Sequence, residues 1–256
     1  MIWRTVWYGR VDMKMVTFLV ILLFSSVIGI SQSTETINLE KIPQKKVRKY
    51  IKSRSIDRMN DFSLIHSSWK KDNTESDFNV IEKSFYLKSK LSSIWNLYRN
   101  ATLARVWNKR SVRFGLLISK RSNSVTYANS SSFPEIDTGQ IYFLNLRLLK
   151  GLYNVPVAFE ITTIDQVHQI VEFSYLENNV SKGKQTLQFF DNGEGSTKIV
   201  HRSYFKSKSS LRDELFYPPF HKKFIKEFHK NMRQQVKNKK PPVAYYDSHD
   251  HEGIVL

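Results

Sequence analysis

The chain has 256 residues and contains no cysteine, which excludes disulfide bonds, thiol catalysis and cysteine-bound zinc. Its composition is 41% hydrophobic and 13% aromatic, which is too apolar for a disordered chain and suits one domain with extensions. The formal charge of +17 favours anionic partners such as lipid headgroups, acidic polysaccharide or nucleic acid. A basic surface that is simply well hydrated is the alternative.

The N-terminal segment, residues 1–33, has the sequence of charged, apolar and small-residue regions that is typical of a signal peptide. An apolar run of fifteen residues, 16–30, follows Lys14 and precedes small and polar residues. This run is shorter than the roughly twenty residues that a spanning helix needs, so cleavage is favoured over a retained anchor. Met13 or Met15 is a more ordinary start than Met1. The sequence therefore predicts an exported protein, periplasmic or secreted and bacterial in composition, and export disfavours nucleic acid as a partner.

Residues 34–76 form a predicted basic N-terminal extension. Lys41 to Arg58 contains eight basic residues and a single acid. Val47, Tyr50 and Ile51 follow helical spacing, which predicts a short amphipathic helix. Three alternatives stay open for this helix: binding to an anionic membrane surface, a solvated linker, or packing at the edge of the domain.

Alternating and β-branched patterns predict a strand at Phe78–Leu87, and apolar residues at helical steps predict a helix from Leu91 to Tyr98. A weaker helix at 102–109 and a loop at 130–139 interrupt the strands that follow. Those strands are predicted at 114–118, 124–129, 141–149, 157–163, 167–176, 185–190 and 197–205. Short turns between consecutive strands favour an antiparallel meander.

A long amphipathic helix is predicted after Pro219. Phe220, Phe224, Phe228 and Met232 recur every four residues, and lysines occupy the other faces. One side of this helix should therefore pack and the other should meet water. Residues 237–256 are predicted to form a mobile tail.

Residues 78–236 resemble the START-like, polyketide-cyclase and pollen-allergen superfamily, which has the helix-grip fold. The resemblance depends on Val80 to Phe85 leading into Ile94 and Trp95, on the meander, and on the closing helix. It implies an α+β domain at 77–236, in which an antiparallel β-sheet wraps around the long C-terminal helix. A cavity between sheet and helix is expected with that fold.

Strand alternation predicts which side chains face this cavity. On the last strand Lys198 and Arg202 mark the solvent side, so His201 points inward. His201, Ser203 and Tyr175 would orient an apolar ligand, although a hydrogen-bonded histidine in a solid core is the alternative. The predicted ligand-binding residues are Phe159, Ile161, Phe173, Tyr175, Phe189, His201, Ser203, Phe205, Phe224 and Phe228.

Other candidate sites are weaker. His221 and His229 lie about 80° and about 12 Å apart on an ideal helix, too far for one metal ion, and are predicted to be solvated. The cluster from His249 to Glu252 lies in the tail and predicts only adventitious cation binding. Glu160 and Glu172 point away from the chamber, which disfavours a two-carboxylate glycosidase. No motif calls for a cofactor, and no metal site is predicted.

These observations favour an exported binding protein that encloses an apolar or amphipathic small molecule, such as a lipid, between the sheet and the C-terminal helix. One alternative is an envelope-associated interaction protein with a filled core and a basic, anion-binding surface. The other is a cyclase-like or hydrolase-like enzyme on the same fold that uses His201. The sequence leaves the ligand, the enzymatic activity and the oligomeric state open.

Overall fold

The computed structural model describes residues 36–238, all of which belong to one compact unit. The predicted leader, the alternative starts at Met13 and Met15, and the cluster from His249 to Glu252 lie outside the described residues. Among the described helices, none is both long and apolar enough to cross a membrane.

Eight strands form one antiparallel sheet in the order β1-β8-β7-β6-β5-β4-β2-β3. Strands β4 to β8 are consecutive neighbours, as the predicted meander requires, and β1 closes the far edge by pairing with β8. The strands are β1 (Asn79–Leu87), β2 (Val112–Ser119), β3 (Ser124–Tyr127), β4 (Gln140–Leu148), β5 (Tyr153–Asp165), β6 (Ile170–Tyr175), β7 (Ser181–Asp191) and β8 (Thr197–Ser207).

Within residues 36–238, four α-helices accompany the sheet: α1 (Lys45–Lys52), α2 (Leu91–Arg99), α3 (Leu103–Val106) and α4 (Tyr217–Asn238). A π-helical turn, Arg212–Phe216, leads directly into α4. Short 3-10 turns lie at Leu39–Lys41, Ile56–Arg58, Phe62–Leu64, Glu75–Asp77 and Leu149–Gly151. The α+β helix-grip fold predicted from the sequence is thus confirmed, with α4 held against one face of the sheet.

Helix α4 begins at Tyr217, so Pro218 and Pro219 lie in its first turn. The Tyr217 N–H donates to the Arg212 carbonyl of the preceding π-helical turn, and the two prolines, which have no N–H, cannot continue that i→i−5 pattern. Phe224 and Phe228 are buried in the core against the sheet, as the four-residue spacing predicts. The lysines at 222, 223, 226 and 230 are exposed.

The sheet carries a hydrophobic core on each face. The inner core lies between the sheet and helices α2, α3 and α4. The outer core lies between the opposite face and residues 37–65. Strand β4 separates the two cores, with Tyr142 and Leu144 in the inner core and Ile141 and Phe143 in the outer one.

The predicted basic extension contributes to the outer core. Helix α1 forms close to the predicted position, and its residues Val47, Tyr50 and Ile51 are buried. The Tyr50 ring meets the edge of Phe143, and its hydroxyl donates to Asn179 Oδ1 at 2.6 Å. The apolar side of α1 is therefore occupied by the sheet and is not free to enter a membrane. The folded unit begins well before residue 77, where the sequence placed its boundary.

Gly115 allows α1 to approach the sheet. A Cβ atom at this position would lie 3.0 Å from both the Phe143 carbonyl oxygen and Val47 Cγ1. Neither neighbour has room to retreat, because both belong to the outer core. The glycine coincides with a register shift in β2 between Phe114 and Leu116.

Substitution Ile51→Ala should lower the free energy of unfolding by about 2–5 kcal/mol, because a fully buried side chain is lost and a cavity remains. Urea denaturation followed by tryptophan fluorescence measures the change. Lys49→Ala, on the exposed side of the same helix, is the matched control and should be near neutral. Equal stabilities for the two variants would mean that α1 does not belong to the folded unit.

Candidate functional site

A chamber of about 480 Å³ lies between strands β4 to β7 and the start of α4. This volume is within the range of small-molecule sites. Its mouth is bordered by Val180 and Phe216, both more than half exposed. Fourteen apolar residues line it: Trp107, Leu144, Leu146, Leu148, Val155, Pro156, Val157, Phe159, Phe173, Val180, Phe216, Phe220, Phe224 and Ile225.

The polar lining residues are unevenly placed. All seven come from two segments, 175–185 and 212–221, while β4 and β5 contribute only apolar side chains. They are Tyr175, Asn179, Ser181, Gln185, Arg212, Tyr217 and His221. The chamber therefore has one wholly apolar wall and one wall that can make hydrogen bonds.

Four of the predicted ligand-binding residues line this chamber: Phe159, Phe173, Tyr175 and Phe224. Three others fill the deeper end of the space. Ile161 and Phe228 border a residual void of only about 20 Å³. Phe189 meets the edges of Trp95 and Tyr98, at centroid distances of 5.4 and 4.9 Å. The large aromatic residues thus fill the inner half of the space and leave the outer half open.

The other three predicted residues, His201, Ser203 and Phe205, are buried but do not line the chamber. Phe205 stacks on Tyr217 at 3.9 Å between centroids. Ser203 Oγ lies 2.7 Å from His221 Nε2. These side chains therefore support the groups that reach the chamber rather than reaching it themselves.

A continuous chain of hydrogen bonds runs from the core to the chamber. The Tyr98 hydroxyl lies 2.8 Å from His229 Nδ1, and His229 Nε2 lies 3.0 Å from His201 Nδ1. His201 Nε2 lies 2.8 Å from Gln185 Oε1, and the Gln185 amide donates to the Tyr175 hydroxyl at 2.9 Å. The chain ends where the Tyr175 and Tyr217 hydroxyls meet at 2.5 Å.

The orientation of the Gln185 amide fixes the direction of this chain. Its carbonyl oxygen can only accept, so His201 donates through Nε2 and presents a bare Nδ1. His229 then donates through Nε2 to His201 and accepts at Nδ1 from Tyr98. Every ring nitrogen of the two histidines is satisfied while both remain neutral.

One hydroxyl hydrogen is left over at the chamber end. Tyr175 and Tyr217 carry two O–H groups, and the hydrogen bond between them uses only one. Among the described residues, neither oxygen has a further hydrogen-bond acceptor. Since both tyrosines line the chamber, the remaining O–H is available to an acceptor inside it.

Burial keeps these groups uncharged. Desolvation lowers the pKa of His221 and His229 to about 3, and it lowers the pKa of His201 well below its ordinary value, with further repulsion from the neighbouring imidazoles. Desolvation also raises the pKa of Tyr175 to about 12 and the pKa of Tyr217 well above its usual range. The hydroxyls therefore stay protonated and remain hydrogen-bond donors.

The prediction that His221 and His229 are solvated is wrong, because both side chains are buried. His221, Ile225 and His229 recur at four-residue intervals and so lie on one face of α4, beside the phenylalanine stripe. That face meets β8, where His229 is hydrogen-bonded to His201 and His221 is hydrogen-bonded to Ser203. The four-residue spacing was visible in the sequence and could have shown this placement.

No cluster of three or more His, Asp or Glu side chains within residues 36–238 has a geometry that could hold a metal ion. Glu160 accepts from Lys120 Nζ at 2.7 Å and from Ser67 on the outer side of the sheet. Glu172 accepts from Lys184. Both carboxylates therefore lie away from the chamber, as the alternation predicts.

The three buried histidines should make stability depend on pH. Between pH 7 and pH 5 the unfolded chain takes up protons at these positions and the folded chain does not, so stability falls as the pH falls. With an unfolded pKa near 6.5, each histidine contributes a loss of about 2 kcal/mol over this interval. Urea unfolding at several pH values measures the slope.

His229→Gln should reduce this pH slope by about a third, whatever its effect on absolute stability. His66 is exposed, so His66→Gln is the matched control and should change the slope far less than His229→Gln does. A slope that is the same in both variants and the parent would contradict the burial of His229.

Comparison with solved structures finds proteins whose backbones are similar to this one but whose sequence identity to it is low. A norcoclaurine synthase from Thalictrum flavum, in complex with dopamine and hydroxybenzaldehyde, is 11% identical with a TM-score of 0.47, over 68% of this chain and 96% of that one. A START superfamily protein from Mycobacterium smegmatis is 10% identical with a TM-score of 0.43, over 62% and 97%. A major latex-like protein from Panax ginseng is 11% identical with a TM-score of 0.45, over 61% and 96%.

No protein-family model and no curated protein matches the sequence. Structural similarity at this level concerns the backbone fold alone. It assigns neither a ligand nor a role for any residue to this protein. The chemistry of the site therefore follows from this chain's own side chains.

Proposed function

We propose that this protein binds an apolar or amphipathic small molecule in the chamber between the sheet and α4. The observation that carries the proposal is an open, mostly apolar chamber of about 480 Å³ with its polar groups gathered on one wall. Burial of apolar ligand surface, at about 25 cal/mol per Å², supplies most of the affinity. The polar wall orients the ligand.

The polar wall favours a ligand with a hydrogen-bond acceptor. The spare O–H of the Tyr175 and Tyr217 pair offers a donor, and their raised pKa values keep it in place. The Arg212 guanidinium lies at the mouth, where it donates to the Val180 carbonyl at 3.1 Å and to Ser181 Oγ at 3.0 Å. A ligand with an apolar body and a carbonyl, carboxylate or ether oxygen fits this arrangement.

The two alternative functions have less support. His201 is fully buried and its two ring nitrogens face His229 and Gln185, so it does not offer a base to a molecule in the chamber. A wholly filled core does not fit the open outer half of the chamber.

Export is part of the proposal and depends on the leader alone. The charged, apolar and small-residue order of residues 1–33 supports secretion or delivery to the periplasm. A ligand for such a protein would come from an envelope or from the surroundings of the cell.

Native mass spectrometry of residues 34–256, purified after export, should show a stoichiometric adduct that organic solvent releases. Leu146→Trp should abolish the adduct by filling the apolar wall of the chamber. Val167→Trp is the control, because Val167 lies in the β5–β6 turn and is 79% exposed. An adduct retained by Leu146→Trp would place the ligand elsewhere.

A matched pair of test ligands, 2-acetylnaphthalene and 2-ethylnaphthalene, separates the polar wall from the apolar one. The parent protein should bind the ketone more tightly than the hydrocarbon. In the double variant Tyr175→Phe with Tyr217→Phe, the ratio of the two affinities should fall about five-fold, because one hydrogen bond to the ketone is lost. Displacement of a fluorescent naphthalene probe measures both affinities. Tyr153→Phe, at an exposed position, should keep the preference, and an unchanged ratio in the double variant would contradict the assigned donor.

A further inference from the structure

Exposed apolar side chains gather around the mouth of the chamber. Of the twelve large apolar residues that are exposed within residues 36–238, seven belong to three segments at this end, and each is between 53% and 82% exposed. We call this group the mouth collar. It consists of Leu149, Leu152, Tyr153, Val180, Leu211, Leu215 and Phe216.

The strand register brings these three segments together. Leu148 pairs with Tyr153 at the β4–β5 turn, and Ser181 pairs with Ser207 where β7 begins and β8 ends. Because neighbouring strands are antiparallel, the β4–β5 turn, the β6–β7 turn and the exit from β8 share one end of the sheet. Leu148, Val180 and Phe216 line the chamber directly. The collar therefore surrounds the opening.

The backbone of the β4–β5 turn holds its apolar side chains outward. Leu149 and Lys150 have φ values of 44° and 59°, in the left-handed region that is unfavourable for residues with a Cβ. Gly151 follows at 104°, and a Cβ there would lie 2.8 Å from the Arg147 guanidinium. Leu152 follows in the chain and is 82% exposed, so the strained backbone of this turn leaves an apolar side chain in solvent.

The opposite side of the mouth is also irregular. The collar residues Leu215 and Phe216 lie in the π-helical turn that precedes α4. π-helical turns are rare in proteins, but a large share of those that occur lie at functional sites. Asp213 Oδ2 accepts from the Ser207 backbone N–H at 2.7 Å, which fixes the turn to the end of β8. Leu211 and Leu215 thus extend into solvent from an anchored segment.

Positive charge accompanies the collar. Within segments 147–153, 177–182 and 206–216 there are six basic residues, of which Lys150, Lys182, Lys206 and Lys208 are exposed. The acidic residues there are fewer: Glu177 pairs with Lys70, Asp213 is buried, and only Glu214 is exposed without a recorded partner. The rim is therefore net positive, which complements an anionic surface.

We propose that the mouth collar docks the protein onto an anionic lipid bilayer. Single apolar side chains on turns, set among lysines, suit insertion between lipid headgroups, whereas lysine is depleted from protein interfaces. The apolar chamber opens at the same place, so docking would give its ligand a path that avoids water. This surface is distinct from helix α1, whose apolar side is covered, and it adds a second partner to the proposed function.

Liposome co-sedimentation of residues 34–256 tests the proposal. Vesicles of phosphatidylcholine with 30% phosphatidylglycerol, on the order of the anionic content that attracts basic segments, are compared with pure phosphatidylcholine. The parent should bind the anionic vesicles, and binding should weaken as salt is raised. The double variant Leu152→Ser with Leu215→Ser should bind at least about ten-fold more weakly, because two side chains no longer enter the bilayer.

Two further variants complete the design. Lys150→Glu with Lys208→Glu should abolish the preference for anionic vesicles, since each lysine near such a surface contributes about 1 kcal/mol. Val80→Ser with Val167→Ser removes exposed apolar side chains elsewhere and should bind like the parent. Near-ultraviolet circular dichroism of each variant checks that the fold is kept.

Several results would overturn the proposal. One is equal vesicle binding by the parent and the collar variant. Another is a loss of vesicle binding in the Val80 and Val167 control as large as that in the collar variant. The third is a parent protein that binds no vesicles but forms a dimer, which the collar variant converts to a monomer. Leu152 and Leu215 do not line the chamber, so the collar variant should still show the ligand adduct by native mass spectrometry. Loss of vesicle binding with the adduct intact therefore separates this inference from the proposed function.

Discussion

The buried hydrogen-bond chain from Tyr98 to Tyr217 is the constraint on which the rest of the structure depends. It joins α2, α4, β8, β7 and β6 through neutral side chains, most of them buried. In such surroundings an unpaired donor or acceptor costs about 1–3 kcal/mol, so the members of the chain fix one another's positions. The chain therefore sets the distance between α4 and the sheet, and this distance determines whether a chamber exists.

Aromatic packing determines how much of that space stays open. At the inner end, Phe228 stacks on Trp107 at 4.5 Å and Tyr98 meets Phe189, which leaves almost no void. At the outer end, the π-helical turn from Arg212 to Phe216 is fixed to the end of β8, and Arg212 and Phe216 line the chamber. The same helix thus closes the core with its later turns and borders an open chamber with its first ones. Its polar residues Tyr217 and His221 both line the chamber.

The sequence predicted the parts of this arrangement that depend on local periodicity. Alternation on β8 placed His201 inward, and the four-residue spacing of phenylalanine placed the inner face of α4. The link through Gln185 was not predictable, because it depends on the register that sets Gln185 opposite Ser203. The burial of His221 and His229 was missed because they were judged as metal ligands and not as members of a helical stripe. The docking of α1 had a signal in the continuous apolar run from Ile141 to Leu144, which predicts a strand buried on both faces.

The most direct test of the account is a crystal structure of residues 34–256 purified after export, without added ligand and without extraction. The account predicts density for a bound molecule in the chamber, with an acceptor atom within about 3.2 Å of the Tyr175 or Tyr217 hydroxyl. It also predicts that the histidine contacts from Tyr98 to Gln185 are intact. A collapsed chamber, in which Phe216 and Phe220 fill the space beside the tyrosines, would contradict the central claim that the fold holds this chamber open for a ligand.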